Sequence, residues 1–177
     1  MNKRVLVFGV SGVGKSTLCK AVVKKVSGFA RLSIGELLSE ELFFERGAGR
    51  DAVLRRQRKM PPLINRRASI QNFTLLLEGH PIVSSEVGPV RVPTEVVAQL
   101  QPAALLMLYA KPDVILARQI RRGDRINSFR YEEIQYRQSA IMGQTMAYAK
   151  QLALPMLSVN ITSKREVSSE ILTLLRQ

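Results

Sequence analysis

The chain has 177 residues, 46% hydrophobic and 23% charged, with 27 Lys and Arg against 14 Asp and Glu and a formal net charge of +13. That is the length of one ordinary domain with enough apolar content to bury its own core, which excludes a disordered chain and a coiled coil. No apolar run nears the ~20 residues of a membrane span, Val5–Phe8 behind the basic start is too short for a signal-peptide core, and the lone Cys19 suits a reducing compartment, so the cytoplasm is expected.

The first apolar run, Arg4–Gly9, reads as a strand buried on both faces. Directly behind it, Gly9-Val10-Ser11-Gly12-Val13-Gly14-Lys15-Ser16 satisfies G-x-x-x-x-G-K-[ST], with a helix predicted from Lys15 to about Val26. Glycines let backbone amides turn inward and approach a polyphosphate closely. The helix adds its free N-terminal amides and the positive end of its dipole. The expected ligand is ATP with Mg²⁺, held by Gly9, Val10, Ser11, Gly12, Val13, Gly14, Lys15, Ser16 and Thr17. Lys15 is expected on the β- and γ-phosphates, and the Ser16 hydroxyl on the metal. Cys19 lies on the helix and reads as a packing residue.

Further strands are expected at Phe29–Ser33, Thr74–Gly79, Ala104–Ala110 and Pro155–Ile161. Helices are expected at Ile34–Glu45, around Ala52–Gln71, and at Thr94–Gln101, Pro112–Arg122 and Tyr131–Gln151. A last helix is expected from a capping box at Ser163–Glu166. Alternation of this kind over one chain predicts an α/β three-layer sandwich, a single domain spanning residues 1–177. Glu78 ends its strand at the edge where such sheets bind ligands, so it is a candidate for holding Mg²⁺ or orienting the attacking group. The alternative is a strand-end carboxylate paired with a nearby arginine. His80, the only histidine, is equally readable as structural or catalytic.

The positive charge is clustered. Arg50, Arg55, Arg56, Arg58, Lys59, Arg66 and Arg67 form one group; Arg118, Arg121, Arg122, Arg125, Arg130 and Arg137 form another. Arginine's planar fork grips phosphate through two hydrogen bonds. Arg118, Arg121, Arg122 and Arg125 stand three or four apart, so most project from one helical face and repel one another unless an anion lies between them.

The order and spacing of several stretches resemble the archaeal-type adenylate kinases, whose eukaryotic members are nuclear nucleotide kinases and ATPases. These are the Gly9–Thr17 loop, Leu77-Glu78-Gly79-His80, the stretch from Val92-Pro93 to Ala110-Lys111-Pro112, Ile115-Leu116-Ala117-Arg118 with Arg122-Gly123-Asp124-Arg125, and Met146-Ala147-Tyr148-Ala149. The resemblance implies a P-loop kinase fold with a five-stranded parallel sheet, a monophosphate-binding segment at 34–72 and a short lid at 118–137. It implies phosphoryl transfer from ATP to AMP, with Lys15, Arg122, Arg125 and Glu78 as catalytic residues. Arg118 is then expected over the donor adenine, and Ser33, Gly35, Arg50, Arg58 and His80 on the acceptor. Ser16 and Glu78 are expected on the metal. The family has aspartate at the place of Glu78 and arginine at the place of Met142, with Arg137 about a turn earlier. The Arg50–Lys59 segment is longer here by roughly a helical turn.

Two functions of different classes follow. One is a nucleoside monophosphate kinase, ATP plus AMP giving two ADP. The other is a kinase-like ATPase acting as a nucleotide-dependent binding module, whose +13 charge engages RNA, a ribosomal particle or an acidic protein partner. No membrane partner is expected.

Overall fold

The computed structural model describes residues 3–41, 49–68, 73–123, 131–162 and 167–175. Five strands form one sheet in the order β2-β3-β1-β6-β7: β1 Arg4–Phe8, β2 Phe29–Ser33, β3 Thr74–Glu78, β6 Ala104–Tyr109 and β7 Met156–Asn160. Every pairing is parallel. The central strands carry apolar side chains on both faces, and Val5, Leu6, Val7, Leu76, Leu77 and Ala104 to Leu108 are sealed from solvent. Helices therefore cover both faces. They are α1 Lys15–Lys25, α2 Ile34–Glu41, α3 Arg50–Ala68, α4 Thr94–Gln99, α5 Pro112–Arg121, α6 Tyr131–Gln151 and α7 Ser168–Leu174.

Register sets the site. Val7 pairs with Glu78 across β1 and β3, and Phe8 pairs with Met107 across β1 and β6. The carboxyl ends of the three strands thus finish together. After β1 the chain runs outward to β2; after β3 it crosses back over β1 to β6. The two connections diverge between β1 and β3, leaving the crevice in which open α/β sheets bind ligands.

One element escaped the sequence reading. Ile82–Ser85 (β4) and Gly88–Arg91 (β5) form an antiparallel hairpin apart from the main sheet. Each strand has only four residues, and Pro89 argues against strand in a local reading. The last helix starts at Ser168 with Val167 before it, and the expected capping box at Ser163–Glu166 lies outside the described residues. Long-range polar ties hold the frame. Arg4 reaches the Asn65 side-chain oxygen at 2.5 Å and the Leu100 carbonyl at 2.8 Å, pinning α3 and α4 to the start of β1. The Tyr148 hydroxyl donates to the Val92 carbonyl, and its ring meets Phe8, which gives Tyr148 a packing role, while Met146 before it is exposed. No helix among the described residues is long and apolar enough to cross a membrane.

Candidate nucleotide site

The glycine loop is shaped by close approaches. A Cβ on Gly9 (φ 152°) would lie 2.7 Å from the Leu108 carbonyl oxygen and 2.9 Å from a Val13 methyl. One on Gly12 (φ 79°) would lie 2.7 Å from Cγ of Gln119. These glycines therefore serve both the turn and its fit against β6 and α5. Gly14 (φ 117°) then opens α1.

Around this loop Lys15 and Arg118 are braced on main-chain oxygen and Arg122 on a serine hydroxyl. Lys15 Nζ donates to the Gly9 carbonyl at 2.8 Å and the Val10 carbonyl at 3.1 Å. Loss of solvent pushes its pKa down to about 8, with the Glu78 charge opposing. Arg118 donates to the Val13 carbonyl at 2.6 Å and the Ile161 carbonyl at 3.0 Å. Its guanidinium spans the gap between the loop and the end of β7. Arg122 reaches the Ser11 hydroxyl at 3.0 Å. Gln119, 3% exposed, donates to the Ser11 carbonyl at 2.8 Å, while its own carbonyl oxygen is buried without a partner.

Glu78 joins the two strand ends. It is 3% exposed; one oxygen accepts from the Ser16 hydroxyl at 2.5 Å and the other from Arg31 Nε at 2.7 Å. Arg31 continues to Glu36 at 3.3 Å. Of the two sequence readings of Glu78, the arginine pairing is present, with Arg31, and the same carboxylate also accepts from Ser16. A serine hydroxyl beside a carboxylate is a hard-oxygen donor pair that suits Mg²⁺, so Ser16 and Glu78 fit the metal such a loop calls for. His80 is exposed and sits by Gly9 and Lys15.

A cleft of about 1640 Å³ opens beside this loop, and its lining extends to the hairpin residues Ile82 to Ser85 and Gly88, Pro89 and Arg91. Val10 to Thr17, Glu78, His80, Arg118 and Arg122 line it, as do Ser33 and Gly35. Arg50 and Arg58 are exposed and stand outside the lining, where α3 presents Gln57 and Met60 instead. Arg125 lies outside the described residues. Met142 packs against the core with its sulfur 3.6 Å from the Ser158 hydroxyl, whereas Arg137 lines the cleft and pairs with Glu133 at 2.6 Å.

Sequence reasoning missed Arg31, Arg91, Gln57, Gln119 and the hairpin. Arg31 had a signal in principle: β2 pairs with β3 in a register that sets Ser33 against Glu78 and Arg31 against Leu76. That register was not legible from the strand alone.

Comparison with known proteins agrees with this geometry. A family model described as an AAA domain matches residues 8–134. The chain is similar to the adenylate kinases of Pyrococcus furiosus (28% identical over 158 residues, 82% of this chain and 79% of that protein) and Methanopyrus kandleri (26% over 156 residues, 82% of each). It is also similar to that of Saccharolobus solfataricus (24% over 166 residues, 84% and 82%). Two solved structures share the fold. One is a sugar kinase from Janibacter, with a TM-score of 0.56 at 15% identity, covering 99% of this chain and 95% of that one. The other is the tunicamycin resistance protein of Deinococcus radiodurans, with a TM-score of 0.55 at 13% identity, covering 87% and 97%.

Proposed function

Since the chain belongs to the AAA domain family and, among the P-loop phosphotransferases, to the archaeal-type adenylate kinases, we propose that it moves the γ-phosphoryl group of ATP to AMP, giving two ADP. The observation that carries this reading is the continuity of one cleft from the Gly9–Thr17 loop, past Ser16 and Glu78, to Ser33, Gly35 and the β4–β5 hairpin. A donor and an acceptor fit it end to end.

In this mechanism an oxygen of the acceptor phosphate attacks the γ-phosphorus in line, and the bond to the β,γ-bridging oxygen breaks. The protein contributes position and charge neutralisation rather than covalent chemistry. The loop amides and Lys15 meet the phosphates, and Lys15 gives up its two carbonyl partners for them. Arg118, fixed between Val13 and Ile161, offers its planar face to the donor base. Arg122, and Arg125 from the lid, balance charge that builds on the transferred group. Mg²⁺, when held by Ser16 and Glu78, supplies further neutralisation of the phosphates. Ser33, Gly35 and His80 face the acceptor. Arg50 and Arg58 reach its phosphate when the α3 segment closes, a motion common in enzymes that exclude water.

The test is ADP formation with ATP alone and with each nucleoside monophosphate. AMP should stimulate turnover by about a hundredfold or more; hydrolysis indifferent to every monophosphate sinks the reading. The binding-module alternative rests on the +13 charge, the basic Arg50–Arg67 segment and the altered lid, none of which points to a partner.

A further inference from the structure

Helix α3 turns a buried stripe inward at helical spacing: Val53, Gln57, Met60, Ile64 and Ala68. Four of these are apolar. Gln57 is the exception, 5% exposed and lining the cleft beside Met60. Among the described residues no protein group hydrogen-bonds its carboxamide.

Other amides in this fold are used differently. Gln138 clamps Ala110, accepting from its N–H and donating to its carbonyl at 3.0 Å each. Gln119 spends its NH₂ on Ser11. Gln57 spends neither end. Four residues on stands Pro61, which has no N–H for the Gln57 carbonyl, so the helix ladder is also interrupted there. The carboxamide is not sealed in: only Gln119 and Glu170 carry buried polar atoms without a partner among the described residues, so the amide of Gln57 keeps its small exposure on the cleft it lines. The position keeps a donor and an acceptor side by side in the cleft lining, next to Met60 on the same helix.

We infer that Gln57 reads the base of the acceptor nucleotide and so sets which nucleoside monophosphate is taken. The inference rests on the monophosphate kinase reading and names the residue that gives it base selectivity. A carboxamide meets the edge of adenine, where an exocyclic amino donor adjoins a ring-nitrogen acceptor, through two hydrogen bonds. A carboxylate has two acceptors and no donor, and suits instead the adjacent N1–H and N2–H₂ of guanine.

The experiment uses the full chain and two variants, Gln57→Met and Gln57→Glu. It measures kcat/KM for AMP, GMP, CMP and UMP at saturating ATP, and direct binding of each monophosphate by calorimetry. Gln57→Met should raise the KM for AMP about tenfold or more and flatten the ranking of bases, with the KM for ATP within twofold of wild type. Gln57→Glu should raise the GMP-to-AMP ratio of kcat/KM by about tenfold. If the carboxylate prevents folding, Gln57→Met carries the test alone. A wild-type ranking retained by the folded Gln57→Met protein overturns the inference while leaving the kinase reading intact. So does an equal loss of ATP and AMP affinity, which assigns Gln57 to packing. A wild-type protein that neither binds nor phosphorylates any monophosphate overturns both.

Discussion

The two ends of the cleft are built on opposite terms. At the donor end the polar side chains are already held by the chain itself. Lys15 rests on two carbonyls, Arg118 on two more, Arg122 on Ser11, and Ser16, Glu78, Arg31 and Glu36 form one chain of bonds. At the acceptor end Gln57 has no protein hydrogen-bond partner among the described residues, and Arg50 and Arg58 are exposed and outside the cleft lining. A pre-formed cradle has little to organise when the triphosphate arrives beyond freeing Lys15 from its carbonyls; an unfinished wall is completed by the second substrate. The contrast places phosphate binding in rigid structure and selectivity in contacts made late.

Substitutions at the two ends should therefore fail differently. Arg122→Ala should lower kcat for transfer about 10³-fold or more, since an arginine acting on the transition state is worth roughly 10³–10⁵. ATP affinity should change far less. A fall under tenfold in single-turnover kinetics would remove Arg122 from the chemistry and blur the contrast. Gly9→Ala should cost about 3 kcal/mol in urea unfolding, because its Cβ meets a backbone carbonyl and its φ is one L-residues avoid. Gly28→Ala, with φ 82° and open space around it, should cost only about 1 kcal/mol. Equal losses would mean that the loop is not tightly packed.

Glu78→Ala should cost about 3 kcal/mol and turnover together, since it leaves Arg31 and Ser16 without their shared acceptor. A stable but inactive variant would confine Glu78 to the phosphate chemistry. The smallest effect is on pH. Loss of solvent pushes the Lys15 ammonium down to about 8, and bound phosphates would hold it protonated. ATP affinity is then complete below pH 8 and declines above it, by at most about tenfold per unit, as binding must take up a proton. Lys15→Arg, charged throughout, should show a flat profile, and a wild-type profile flat to pH 9.5 would refute the linkage.

Much of the molecule was legible in advance where local chemistry is decisive. Gly9 to Ser16 announces its loop because Gly9, Gly12 and Gly14 take a positive φ that other residues rarely adopt. Strands apolar on both faces announce a covered parallel sheet. Pro112 marks the start of α5 because it needs no donor there. The hairpin was not legible, since four-residue strands with Pro89 among them gain their order from each other rather than from local preference. Arg31 could not be matched to Glu78 without the register of β2 on β3. The α3 arginines drew attention as a charge cluster, yet the helix turns Gln57 inward and Arg58 outward, a difference of one residue and 100° of rotation.

By itself, then, the sequence determined the phosphate loop, the alternation of strands and helices, and the cation supply, because each rests on contacts within a few residues. Only the tertiary structure decided which carboxylate meets Ser16, which arginines face the cleft, and that a lone amide stands in the acceptor wall. Those depend on strand register and helix rotation, which are fixed by burial summed over the whole core.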